Sequence, residues 1–176
     1  MSTLRPNGQK RVVITGVGAV TPIGNTLEQS WQAALRGKSG ISNITRFDTT
    51  NYDVKIGGEI KNFAADLYID KKEQKKMDLF IQYSLAATKM AFDQSGLKIT
   101  EQNASRTGVF VGCGMGGLPI IEEQHSKILT KGPSRVSPFF IPSIISNLAP
   151  GWISIIYGIK GPSFAVTSAC ASGVHS

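Results

Sequence analysis

The sequence predicts an α/β fold in which helices are layered on a largely buried sheet. Three observations carry this reading. Apolar, β-prone runs recur as "RVVIT", "TGVFVG" and "PSFAVTSA". Amphipathic helical stretches separate them. Apolar residues make up 41% of the chain and charged residues 18%, a globular balance. The 176 residues suit one domain, 1–176, with a real core.

The elements follow in order. Residues 11–15 read as a buried strand ending in glycines. Asn25 followed by Glu28 starts a helix in the manner of a capping box; Leu27, Trp31 and Leu35 share one face and Gly37 closes it. Residues 38–70 read as irregular or short-stranded, with Gly57-Gly58 as a turn. A second helix covers 78–95 and stops at Gly96, with Leu79, Tyr83, Ala86 and Met90 as its apolar stripe. The second strand, 107–112, enters the glycine-rich "GCGMGG", and the third runs directly into Cys170. No charged residue falls within 136–159, a length able to span a bilayer. Its prolines (Pro138, Pro142, Pro150) predict helices broken near Pro150, in a core or subunit contact, and exclude a membrane span.

Lys and Arg number 19 against 12 Asp and Glu, a net charge of +7 that suits an acidic partner: nucleic acid, an anionic membrane or an acidic protein. Two scattered cysteines and two histidines make no metal-ligand spacing. The polar, basic start is no secretory signal, which points to a cytoplasmic protein with free thiols and leaves the sequons at Asn43 and Asn103 without meaning. Two nucleotide signatures fail on spacing. After Gly16 and Gly18 a dinucleotide fingerprint needs a third glycine where Thr21 stands, and "GKS" at 37–39 has Gln32 where a P-loop needs glycine. That argues against a dehydrogenase.

The loop 112–117 is either a plain strand-to-helix connection or a place where a ligand or second chain passes close to backbone, with Met115 as an adaptable apolar wall. Lys72, Lys75 and Lys76 share one face if their segment is helical, and form either a solvated face or a docking patch. No aromatic residue interleaves with them, which weighs against nucleic acid. A free cysteine is most often a small buried residue. Cys170 differs because it follows a strand and precedes the small-residue run "ASGVHS". A thiol so placed meets unpaired amides at a helix start, which favour thiolate and can receive an oxyanion. His175 lies five residues on, off the Cys170 face, and nothing local marks His125 as a base.

The stretches "VVITGVGAVTPIGN", "FDTTNY", "KKEQKKMDLFIQYSLAA", "GCGMGGL" and "SPFFIPSIISNLAPGWISIIYGIKGPSFAVTSACASGVHS" together resemble β-ketoacyl-acyl-carrier-protein synthases, the elongating type II enzymes most of all. The resemblance implies the thiolase-like αβαβα layered fold, of which this chain supplies the first of two similar halves, and a homodimer. It implies that Cys170 is the acyl-accepting nucleophile, with its backbone N–H in the oxyanion hole. Met115 and Phe140 would line the acyl pocket, and Lys72, Lys75 and Lys76 would dock acyl carrier protein. No metal and no dissociable cofactor is implied, because substrates ride on phosphopantetheine. The implied reaction joins a Cys-bound acyl chain to malonyl-carrier protein with loss of CO₂, as in fatty-acid biosynthesis. The family's catalytic histidines, lysine and second oxyanion donor belong to the other half, so these 176 residues alone are expected to be inactive. A polyketide ketosynthase shares the motifs, and a non-catalytic carrier-binding fragment fits the literal chain; the presence of Cys170 argues against the latter.

Overall fold

The computed structural model describes residues 8–176. In chain order the elements are α1 (Leu27–Leu35), β1 (Ile41–Asn43), β2 (Ile56–Gly58), α2 (Lys71–Gln74), α3 (Leu79–Ser95), α4 (Glu101–Ala104), β3 (Val109–Gly112), α5 (Leu118–Lys131), α6 (Phe140–Ile144), α7 (Leu148–Tyr157), β4 (Ser163–Val166) and α8 (Ser172–His175).

The core forms where α3 and α7 cross against the parallel pair β3–β4. Met77, Ile81, Leu85, Val109, Ala149 and Ile153 bury one another there, with Ile69 and Ile159 at the margins. Ile81 is fully enclosed, so truncating it to Ala costs about 3 kcal/mol. Helix α3 starts on Asp78, whose side chain accepts from the Phe80 amide, and ends at Gly96 in the left-handed conformation (φ 66°). Its buried stripe is Ile81, Gln82, Leu85 and Ala86. Of the expected stripe only Ala86 is buried, because α7 packs on α3 from the side of Ile81 and Leu85, two residue positions and so about 200° around from Leu79 and Tyr83.

Register in the parallel pair runs from Val109 opposite Ser163 to Gly112 opposite Val166. Val109 and Val111 turn toward the helices, whereas Phe110 and Phe164, with ring centroids 5.6 Å apart, turn away and are exposed. The sheet is therefore covered on one face, where a parallel sheet ordinarily has both faces covered.

Several local expectations give way. Residues 11–15 form no strand: Val12, Val13 and Ile14 are exposed, and no neighbouring strand offers them a hydrogen-bonding edge among the described residues. The following residues lie along α3 instead. Gly16 and Gly18 come so close to it that an added Cβ would sit 2.1 Å from the Ala91 carbonyl and 1.9 Å from that of Ala87, and the Val17 amide donates to Gln94 Oε1. These glycines serve packing rather than a nucleotide. Helix α1 is capped by Thr26, not Asn25; the Asn25 amide instead donates to the Gln29 side chain. Its buried face is Ser30 and Ala33, leaving Trp31 and Leu35 exposed, because the turn Thr21–Gly24 meets the helix at Ser30. Gly57 and Gly58 are not a turn but pair with Ser42 and Ile41 across the β1–β2 hairpin. The uncharged stretch breaks at Ile145–Asn147, ahead of Pro150, which sits in the first turn of α7, where its missing N–H leaves no helical bond unmade. Among the described residues no helix is long and apolar enough to cross a membrane.

Candidate active site

Strand β4 ends at Val166, and within six residues the chain reverses into α8. The reversal is tight. Ala169 takes a left-handed conformation (φ 49°), unusual for a residue with a Cβ. Ser168 and Cys170 form an isolated bridge around it. The Ala171 amide donates to the Ser168 carbonyl at 3.1 Å and the Ser172 amide to that of Ala169 at 3.2 Å. Buried Ser172 locks the bend: its Oγ donates to the Ala169 carbonyl at 2.7 Å and accepts from the Ser168 amide at 2.9 Å. Cys170 stands at the crest, exposed and unpaired with any other cysteine.

The elbow rests on β3. A Cβ on Gly112 would fall 2.3 Å from the Ser172 carbonyl oxygen and 2.4 Å from its carbon, so only glycine lets α8 seat there. A Cβ on Gly114 would touch Ala169 at 3.4 Å, and one on Gly116 would meet the Ile144 carbonyl at 2.4 Å. The chain's own elbow and α6 pass close to this glycine-rich loop. Met115, between Gly114 and Gly116, is 74% exposed. Phe140 opens α6, half-buried. The loop carrying Met115 thus spans from the cysteine elbow to the end of the helix that Phe140 begins.

His175 Nδ1 pairs with Ser168 Oγ at 2.7 Å. His125 is exposed on α5. Cys113 is the buried cysteine, its sulfur accepting from the Gly116 amide at 3.3 Å. Among the described residues no three His, Cys, Asp or Glu side chains gather into a metal-holding group.

The lysines divide. Only Lys71–Gln74 is helical; Lys75 is its C-cap and Lys76 follows in a turn. Lys72 and Lys75 are exposed. Lys76 turns to Glu73 at 2.7 Å and lies 5.8 Å above the Phe139 ring. The turn is fastened to α3 by buried Gln82, which donates to the Met77 and Gln74 carbonyls.

A cleft of about 930 Å³ lies elsewhere, between the hairpin and the starts of α3 and α5, with Ile44, Phe47, Tyr52, Tyr83 and Leu118 among its walls and Cys170 not among them. At its rim Arg46 donates to Tyr83 Oη. Nearby Glu59 accepts from Thr45 and Arg46, and the Thr45 amide foremost holds its carboxyl below the usual range. Sequence reasoning missed the residues that shape the elbow (Ser168, Ala169 and Ser172). The signal available was the unbroken run of small residues from Thr167 to Gly173, which is what so sharp a reversal requires.

The sequence matches the family described as Beta-ketoacyl synthase, N-terminal domain, over residues 9–176. It is 51% identical to 3-oxoacyl-[acyl-carrier-protein] synthase 2 of Vibrio harveyi over 168 residues, covering 96% of this chain and 40% of that one. Among solved structures, the ishigamide ketosynthase/chain length factor superposes with a TM-score of 0.82 at 30% identity, covering 93% of this chain and 41% of the other. A type II PKS acyl-carrier protein in complex with its ketosynthase bound to the hexaketide gives a TM-score of 0.76 at 25% identity, with 95% and 44% covered. The chain spans about two fifths of the curated relative's length. A match that leaves only the first eight residues outside it shows that the chain belongs to the β-ketoacyl synthase family, as its N-terminal domain.

Proposed function

We propose that this domain supplies the nucleophile of a decarboxylating condensation in fatty-acid synthesis, with Cys170 as the acyl acceptor. The observation that carries the reading is the elbow: an exposed thiol held on a strained strand-to-helix turn. The Cys170 thiolate attacks the carbonyl carbon of an acyl thioester, and the collapsing intermediate expels the phosphopantetheine thiolate, which takes up a proton. The oxyanion formed on the way is received by the Cys170 backbone N–H. Malonyl-carrier protein then loses CO₂, and the resulting carbanion attacks the Cys170 thioester. The new carbon–carbon bond releases Cys170 and leaves a β-ketoacyl chain two carbons longer on the carrier. The base and second oxyanion donor are supplied from outside this domain, as the family resemblance implies. No metal or dissociable cofactor takes part.

Lys72 and Lys75 offer exposed cations to an acidic acyl carrier protein. Lys76 joins them by exchanging Glu73 for a partner carboxylate, a surface pair worth at most about 1 kcal/mol. Met115 and Phe140 line the acyl chain's path, and the working assembly is a homodimer. The 51% identity to a 3-oxoacyl-carrier-protein synthase supports the fatty-acid reading over a polyketide one.

The test is to incubate the full-length protein with a saturated acyl-carrier protein and digest it. The expected result is an acyl mass increment on the Cys170 peptide and extension of unbranched chains. No increment, or one on Cys113, overturns the reading.

A further inference from the structure

The thiol and the oxyanion donor assigned to Cys170 sit on one residue, yet the peptide unit that carries its N–H is shared with Ala169. A trans peptide is flat, and its C=O and N–H point in opposite directions. None among the described residues is cis. A group that grips the Ala169 carbonyl therefore aims the Cys170 N–H.

One residue grips that carbonyl twice. Ser172 is 3% exposed. Its Oγ donates to the Ala169 oxygen at 2.7 Å, and its own amide donates to the same oxygen at 3.2 Å. Together they use both lone pairs of the carbonyl. The hydroxyl is itself held in place, since it accepts from the Ser168 amide at 2.9 Å. Behind it, the Ser172 carbonyl rests against Gly112 of β3, where an added Cβ would stand 2.3 Å away. The other backbone bond of the bend, from the Ala171 amide to the Ser168 carbonyl, does not involve the peptide between Ala169 and Cys170. That peptide also follows a residue at φ 49°, a conformation that persists only where neighbours enforce it.

We propose that Ser172 is a positioning residue for the oxyanion. By holding the Ala169 carbonyl toward α8, it points the Cys170 N–H the opposite way, toward the carbonyl oxygen of a thioester under attack. This rests on the reading of Cys170 as the acyl acceptor with its N–H as an oxyanion donor. Ser172 acts through the peptide plane, and the thiol's own reactivity does not depend on it.

Two reactions of the same thiolate separate these roles. Acyl transfer from a thioester places negative charge on the carbonyl oxygen and draws on the N–H. Alkylation by iodoacetamide forms a sulfur–carbon bond and expels iodide, with no oxyanion. The thiolate fraction enters both rates and cancels in their ratio. In the full-length protein, both rates are read by mass on the Cys170 peptide, with saturated acyl-carrier protein and with iodoacetamide, alongside thermal melts. Ser172→Ala removes the hydroxyl and both of its bonds. The expected acylation-to-alkylation ratio falls about ten-fold at every pH assayed, a part of the ~10²–10³-fold that outright loss of an oxyanion donor costs. An unchanged ratio, whether the two rates hold or fall together, overturns the proposal and leaves Ser172 a packing residue. Ser172→Thr keeps the hydroxyl and adds a methyl at a buried place, so its two rates are expected to fall together with the ratio within about two-fold of wild type. A ratio that falls with the hydroxyl present overturns the proposal whether or not the Ala variant folds. If the wild-type protein is alkylated at Cys170 but never acylated, the functional reading falls and this proposal with it.

Discussion

Two neighbouring strands in this domain each run into a cysteine, and the two thiols meet opposite fates. Past β3 the ladder continues one step, the Cys113 amide donating to the Val166 carbonyl at 3.0 Å, and the chain then folds its sulfur inward under the Gly116 amide. Past β4 the chain bends through Ala169 in a left-handed conformation and turns Cys170 out to solvent. Strand type and residue type are alike, so what decides is the loop. Glycines let the first loop relax around its thiol; the second has no glycine at the bend and spends strain to present one. Strain that persists must be over-determined by its surroundings, and here Ser172 and the bare surface of Gly112 do that.

The largest effect expected is the chemical one. With Cys170 as the proposed acyl acceptor, Cys170→Ala in the full-length protein is expected to lower acyl transfer by roughly 10³-fold or more. Cys113→Ala leaves the rate within about two-fold and costs about 1 kcal/mol of stability through the small void it opens. Intact-mass kinetics and denaturant melts read both. Equal losses of activity in the two variants would erase the distinction between the strands.

Next comes the seat of the elbow. Gly112→Ala drives a methyl into the Ser172 carbonyl, backbone that has nowhere to move, and is expected to cost about 1–3 kcal/mol and to slow Cys170 acylation as α8 shifts. The paired control is Gly173→Ala in α8 itself, where an added Cβ meets nothing within 4 Å. There a gain of up to about 1 kcal/mol from helix propensity is expected, with transfer unchanged. A neutral Gly112→Ala would mean that the elbow does not rest on β3 at all.

The same contrast shows what a sequence can and cannot say. The second and third strands, the cap and stop of α3, and the cysteine at a strand end were legible because each depends on neighbours close in the chain. Pattern marks a surface that prefers burial without naming what buries it. Trp31 and Leu35 keep helical spacing yet face solvent, and Val12 to Ile14 keep strand composition with no partner edge among the described residues. Gly57 and Gly58 looked like a turn because glycine is free to bend, yet tertiary pairing with Ile41 and Ser42 held them straight. The lysine patch was read as one helical face, and the short helix ends before Lys75.

The smallest effect expected is the most informative about strain. Ala169 at φ 49° carries a left-handed penalty of about 1–2 kcal/mol for a residue with a Cβ. Ala169→Gly removes that penalty but adds about 0.5–1 kcal/mol of unfolded-chain entropy, so the net gain in stability is expected to be only about 0.5 kcal/mol. The rate should move the other way. A glycine bend lets the thiol sample orientations that the Cβ now forbids, and Cys170 acylation is expected to slow about three-fold. Melting and acylation measured on the same preparation therefore have opposite signs if the strain aims the nucleophile. If stability rises while the rate stands still, the left-handed alanine is only a consequence of packing α8 onto Gly112, and the difference between the two strand ends lies in that seat alone.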